Sequence, residues 1–129
     1  MEKIFIVEDD KSLNSLYKKI LKLNGFEVVG IAEDGEEAIS MFKAFKHKPQ
    51  VILMDHHLPK KNGMEASKEI LQIDPKINII FITGDKSVKG EAFACGAFSF
   101  LEKPLTIKLL IQTIKRAMKN YKLHNYISH

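Results

Sequence analysis

The sequence predicts an α/β domain in which five parallel strands form one doubly wound sheet covered by five helices. Three observations predict it. Five short apolar runs, each bounded by polar residues, recur along the chain; runs of that length read as strands buried on both faces. Between them lie longer segments with apolar residues at i, i+3, i+4 and i+7, the pattern of a helix with one buried stripe. Regular alternation of the two kinds implies a parallel sheet, right-handed crossovers and helices on both faces. A chain of 129 residues suits a single domain with an adequate core.

Ile4-Phe5-Ile6-Val7 is the first strand, and Glu8-Asp9-Asp10 stands at its end. Leu13, Leu16, Tyr17, Ile20 and Leu21 stripe the first helix, with Asp10 or Ser12 to cap its start and Gly25 to stop it. Residues 27–32 make the second strand, carrying Val28, Val29 and Ile31. Asp34 and Glu37 are spaced as a capping box for the second helix, whose buried face is Ala38, Met41, Phe42 and Phe45, and Pro49 closes the connection to the third strand. That strand, Val51-Ile52-Leu53-Met54, ends on Asp55 and on a loop rich in turn formers, His56-His57-Leu58-Pro59-Lys60-Lys61-Asn62-Gly63. Asn62 and Glu65 repeat the capping spacing at the start of the third helix, which Met64, Ile70, Leu71 and Ile73 fill and Pro75 ends. Ile79-Ile80-Phe81-Ile82 is the fourth strand, followed by Thr83-Gly84-Asp85. Residues 86–95 give a weaker fourth helix, with Gly90 inside it, a thin stripe of Val88, Ala92 and Phe93, and Gly96 as C-terminal cap. The fifth strand, 98–101, ends on Glu102-Lys103-Pro104. Thr106 caps the fifth helix, Leu105 and Leu110 are spaced as a hydrophobic staple, and Ile107, Leu110, Ile111, Ile114, Met118 and Tyr121 form its stripe. Residues 122–129 are polar and either fray or extend that helix. The pattern leaves strand order open. The flavodoxin-like order 2-1-3-4-5 is one of two common choices, and it sets the ends of the first and third strands side by side at the switch point where ligands bind.

Composition narrows the function. Basic residues exceed acidic ones by 20 to 16, but Arg116 is the only arginine. Base and phosphate recognition leans on the arginine fork, so the excess lysine is expected to be a solvated surface, with no direct nucleic-acid contact by this chain. No apolar run approaches the ~20 residues that cross a bilayer, and the apolar run after Met1-Glu2-Lys3 is too short for a signal-peptide core. No membrane partner is expected. The single cysteine, Cys95, excludes an internal disulfide, which makes a reducing cytoplasm the expected compartment.

Four strand ends carry a charged or hydroxyl group: Glu8 and Asp9, Asp55, Thr83, and Lys103. Clustered carboxylates repel one another, and a hard divalent cation with oxygen ligands, Mg2+ above all, is what holds them. Lys103 and the Thr83 hydroxyl are then left for phosphate oxygens. Phosphoryl transfer needs this set, an aligned nucleophile with positive charge around the equatorial oxygens. Asp55 is the candidate nucleophile, forming an acyl phosphate.

In order and at strand ends, Ile4-Phe5-Ile6-Val7-Glu8-Asp9-Asp10, Ile52-Leu53-Met54-Asp55-x-x-Leu58-Pro59-x-x-Asn62-Gly63, Ile82-Thr83-Gly84 and Gly96-Ala97-Phe98-Ser99-Phe100-Leu101-Glu102-Lys103-Pro104 resemble the response-regulator receiver domain of two-component signalling, from about residue 3 to about residue 121. The resemblance implies a flavodoxin-like, CheY-like sheet in the order 2-1-3-4-5, with residues 1–124 as the receiver and 125–129 as a tail. It implies that Asp55 takes a phosphoryl group from a histidine kinase or a phosphotransfer protein. Glu8, Asp9, Asp55 and the backbone carbonyl of His57 would hold Mg2+, with Mn2+ as a substitute. Lys103 would contact the phosphoryl group, Thr83 would move to it and Phe100 would rotate inward, while the Lys103–Pro104 bond is expected to be cis. Output would pass to a downstream protein through the face of helix 4, strand 5 and helix 5, the chain acting as a monomer or a phosphorylation-dependent dimer. Such a chain is a phosphoacceptor that assists its own phosphorylation and dephosphorylation, not a turnover enzyme, and stands alone or forms the N-terminal part of a longer regulator.

Three departures mark this sequence. Glu8 stands where Asp is commoner, Gly84 where Ala is usual, and His56-His57 is an unusual pair after the nucleophile. The resemblance gives His57 and Asp85 the role of tuning the lifetime of the phosphoaspartate, here by restricting attacking water. As a transition-metal pair, His56 and His57 are not expected to share one site, because neighbours on an extended chain point opposite ways. His47, His124 and His129 lack ligand-like spacing and read as surface. Cys95 reads as a small buried hydrophobe, and Lys108, Lys115, Arg116, Lys119 and Lys122 as a solvated face or a partner surface. Two other classes fit less well. A flavodoxin-type electron carrier needs a phosphate cradle after strand 1, where Glu8-Asp9-Asp10 would repel phosphate. An aspartyl-phosphate hydrolase needs an Asp-x-Asp-x-Thr pattern there, which Glu8-Asp9-Asp10-Lys11-Ser12 does not supply.

Overall fold

The computed structural model describes residues 1–128, apart from the side chains at 125, 127 and 128, so the reading of His129 lies outside the described residues. Strands β1 (Lys3–Val7), β2 (Glu27–Ala32), β3 (Val51–Met54), β4 (Asn78–Thr83) and β5 (Ser99–Glu102) alternate with helices α1 (Lys11–Leu23), α2 (Gly35–Ala44), α3 (Gly63–Ile73), α4 (Lys89–Ala94) and α5 (Ile107–Ser128). All pairings are parallel and the order is β2-β1-β3-β4-β5, as the resemblance implied.

Side chains on a strand alternate between faces, and this divides the core in two. Ile4 and Ile6, Val51 and Leu53, and Ile80 and Ile82 point to one side. There they meet Tyr17, Ile20 and Leu21 of α1 and Leu110, Ile114, Ala117 and Met118 of α5. Phe5 and Val7, Ile52 and Met54, and Ile79 and Phe81 point to the other. Their partners are Ala38, Ile39 and Phe42 of α2, Met64, Ala66 and Ile70 of α3, and Ala92 of α4. Each fully buried Ile or Phe contributes about 1.5–3 kcal/mol relative to an exposed one. Register then fixes the functional edge. Val7 lies opposite Met54, so the next residues, Glu8 and Asp55, leave the sheet together.

The helix ends follow local chemistry. Asp10, not Ser12, caps α1 by accepting from Leu13 N at 3.0 Å, and Gly25 follows with φ +84°. Asn62 and Glu65 close a full capping box on α3. In α2 only half the box forms: Asp34 accepts from Glu37 N, but Glu37 reaches back to Glu33 N at 2.8 Å instead of to Asp34. Thr106 Oγ1 accepts from Leu109 N at 3.1 Å, and Leu105 packs on the cluster that holds Leu110.

Some expectations are corrected. The fourth helix is broken, with a 3-10 turn at Lys86–Val88 before α4, where Asp85 takes the Ser87 amide and starts the tighter winding. Leu16, Ile73 and Ile107 lie at the margins of their stripes and stay exposed. Phe45 lies past the end of α2 in extended backbone, its ring edge-on to Phe5 with centroids 4.9 Å apart. The fourth strand begins one residue early, at Asn78. This residue is buried, donates from Nδ2 to Ala117 O at 3.0 Å and accepts from Asn120 Nδ2 at 2.7 Å.

Candidate phosphoacceptor site

Glu8 is the first residue beyond β1, and its amide still donates to Ala32 O at 3.0 Å. Its carboxylate is gripped twice: Oε2 accepts from Asp10 N at 3.1 Å and Oε1 meets Lys103 Nζ at 2.6 Å. Its carbonyl accepts from Asn14 Nδ2 at 2.7 Å. Asn14 is a residue that sequence reasoning missed. The signal was there, since position 14 lies three before Tyr17 and seven before Leu21, on the buried face.

Asp55 leaves β3 with its amide on Val7 O at 3.0 Å, and its Oδ1 accepts from His56 N at 2.8 Å. Its other oxygen lies 3.7 Å from Lys103 Nζ. Glu8 is only 3% exposed and Asp55 8%, whereas Asp9 faces solvent. Carboxylate oxygens of Glu8, Asp9 and Asp55 all lie within 4.8 Å of one another. The structure thus brings Glu8, Asp9, Asp55 and Lys103 into one cluster. Three acidic groups face one ammonium there, and the donors are hard oxygens of the kind that suit Mg2+.

Lys103 follows β5, its amide donating to Thr83 O at 3.0 Å, and the Lys103–Pro104 bond is cis as expected. Burial alone would lower its ammonium. The hydrogen bond to Glu8 and the charges of Asp55 and Glu8 outweigh burial and hold it above the usual lysine range. Burial drives the Glu8 carboxyl the other way from its charged form, raising it above the ordinary value against the pull of Lys103. A carboxyl raised by folding destabilises the fold once pH climbs through its folded value, because the buried charge then has to form. Glu8→Gln keeps the shape without the charge. It is expected to stabilise the protein by about 1 kcal/mol in the absence of divalent cations, seen as a higher Tm at pH 7 than wild type, with the gap closing in acid. A lower Tm at pH 7 would mean that pairing with Lys103 outweighs burial.

Thr83 ends β4, is 1% exposed, and accepts from Asp85 N at 3.3 Å through Oγ1. Phe100 is half-buried on β5 and packs against the α2–α4 side of the sheet. Tyr17 lies behind the acidic pair. Burial and the charges of Glu8, Asp55 and Asp10 push its phenol up, and its hydroxyl has no hydrogen-bond partner among the described residues.

His57 and Asp85 meet, Nε2 to Oδ2, at 2.9 Å, linking the loop after β3 to the loop after β4. Asp85 is held below the usual carboxylate range by the Ser87 hydroxyl and amide and then by His57. A carboxyl held low in this way keeps its charge further into acid than a free one. The two histidines depart from expectation. Leu58 N and Gly63 N both bond to His56 O, at 3.0 and 2.8 Å, bending the chain so that the rings lie on one side with centroids 5.0 Å apart. The rule of opposite directions holds for extended backbone, and this backbone is bent.

Comparison with known proteins agrees with this fold. The model of the response regulator receiver domain matches residues 4–115. The chemotaxis protein CheY of Bacillus subtilis is 36% identical, over 90% of this chain and 97% of that protein. The CheY of Thermotoga maritima is 32% identical, over 92% and 98%. A receiver domain structure from Clostridium thermocellum superposes with a TM-score of 0.89 at 30% identity, covering 95% of this chain and 98% of that one.

Proposed function

The chain belongs to the response regulator receiver domain family, and from that premise we propose that it is a phosphorylation switch whose phosphoacceptor is Asp55. One observation carries the reading. The buried Asp55 carboxylate lies 3.7 Å from the Lys103 ammonium, in a cluster whose acidic oxygens fall within 4.8 Å of one another. Glu8, Asp9 and Asp55, with the His57 carbonyl, would hold Mg2+ or Mn2+, and the ion supplies positive charge to phosphate oxygens. An Asp55 oxygen attacks the phosphorus of a phosphohistidine on a kinase or phosphotransfer protein. The P–N bond breaks, imidazole leaves and an acyl phosphate forms. Lys103 then donates to one phosphoryl oxygen. Thr83 has its hydroxyl proton free of any role in the Asp85 contact and closes on another. That draws on the loop after β4, and Phe100 turns into the space released.

The chain is on this reading an acceptor that promotes its own phosphorylation and hydrolysis, in the cytoplasm. An apolar groove of about 380 Å³ opens beside Lys103, walled by Leu16 and Tyr17 of α1 and by Leu105, Ile107 and Leu110. It suits the docking of the phosphodonor protein. The face of α4, β5 and α5, with Phe93 exposed, suits the output partner. No described helix is long and apolar enough to cross a membrane.

Incubation with acetyl phosphate and Mg2+, followed by weighing of the intact chain, is expected to show one added phosphoryl group that fails to form when the metal is chelated. No adduct under any donor would overturn the reading. The His57–Asp85 contact gives a second expectation. It stands over the site as a gate to water, so His57→Ala should speed loss of phosphate. The contact is exposed, so the expected change is a modest, severalfold rise in the rate of phosphate loss. A lifetime unchanged in His57→Ala would remove the gate.

A further inference from the structure

We infer that His56, His57 and Asp85 form a second cation site, chemically distinct from the acidic cluster and suited to a borderline transition metal such as Zn2+. One ligand atom from each of the three lies within 4.8 Å of the others. Two loops build the site. The bend that fastens Leu58 N and Gly63 N to His56 O turns both imidazoles the same way, and Asp85, fixed by the Ser87 amide at 3.0 Å, reaches across from the far side of the cleft.

An independent observation points to a ligand. His56 Nδ1 is buried and has no hydrogen-bond partner among the described residues. A buried polar atom left unpaired is destabilising, and a metal ion at the cluster would draw on that imidazole. Access is open, since the His57 side chain is 68% exposed and that of Asp85 28%.

The donor set decides the ion. Two imidazole nitrogens and one carboxylate oxygen suit Zn2+, Ni2+ or Cu2+, with a fourth position left for water. Mg2+ wants oxygen ligands and prefers the other cluster. The two sites share no side chain, although His57 would lend its carbonyl to one and its imidazole to the other. A bound ion would tie the loop that follows the phosphoacceptor strand to the loop that follows Thr83.

The test is a titration of the tag-free full chain with Zn2+ in excess Mg2+, read by calorimetry, with Co2+ absorption as a spectroscopic stand-in. One equivalent is expected to bind. His56→Ala, His57→Ala and Asp85→Ala should each weaken binding roughly tenfold or more, while a variant with His47, His124 and His129 all changed to Ala binds as wild type. Binding that survives the first three substitutions, or is lost in the last variant, overturns the site. So does failure of wild type to bind, which would leave His57 and Asp85 as a plain ion pair. Because no phosphodonor is present, the outcome stands apart from whether Asp55 is phosphorylated.

Discussion

Asp55→Asn is expected to take up no phosphate at all from acetyl phosphate while folding at least as well as wild type. The two halves have one cause. Asp55 is buried beside Glu8, the two share the Lys103 ammonium, and Asp9 adds a third acidic group to the cluster. An amide keeps the shape and can still accept from His56 N at the Oδ1 position, so the local fold survives. It removes one of the repelling charges, which should raise Tm. The carboxamide is a far weaker nucleophile and cannot form the acyl phosphate, so the mass of the intact chain should stay unchanged where wild type gains one phosphoryl group. An adduct persisting in Asp55→Asn would place the acceptor elsewhere, with Asp9 the next candidate. A fall in Tm would show that the clustered charges are not the burden on the fold that their burial implies.

A large loss of stability is expected from a single methyl group. A Cβ on Gly63 would lie 2.1 Å from Asp55 O and 2.9 Å from both Asp55 C and His56 Cα. These are backbone atoms of the segment that carries Asp55, so nothing flexible can give way. Gly63→Ala should cost roughly 3 kcal/mol, a fall in Tm of about 10 °C for a domain of this size, and should slow phosphorylation by displacing Asp55. The comparison is Gly90→Ala. Position 90 is inside α4, and a Cβ there meets nothing within 4 Å. The same change should stabilise by up to about 1 kcal/mol. If the two variants melt alike, close approach at Gly63 is not what demands glycine.

The fold was legible because each strand run is apolar on both faces and each helix carries one stripe, signals that local sequence holds without tertiary help. Order in the sheet was different, since pairing is set by contacts distant in sequence, and only the resemblance chose 2-1-3-4-5. The acidic cluster and Lys103 were visible as strand-end residues. Their pairing was not, because Glu8 and Lys103 are 95 residues apart and meet through register. Leu16 and Ile107 looked like core on periodicity alone, yet each sits where its stripe runs past the edge of its neighbours and is exposed. The shared direction of the His56 and His57 rings was hidden for a related reason. It comes from the bend at His56 O, and a bend inverts the alternation an extended chain would give.

The asparagine pair at the start of β4 has a mechanical consequence. Asn78 is bonded to the backbone of Ala117 and to the side chain of Asn120, so the amino-terminal end of β4 is riveted to α5. Thr83 stands five residues further on, about 16 Å away at the usual strand rise. A strand pinned at one end has more freedom at the other: the pair would act as a fulcrum, so a displacement begun at the acidic cluster would be greatest at the carboxyl tip of the sheet and die away toward its base.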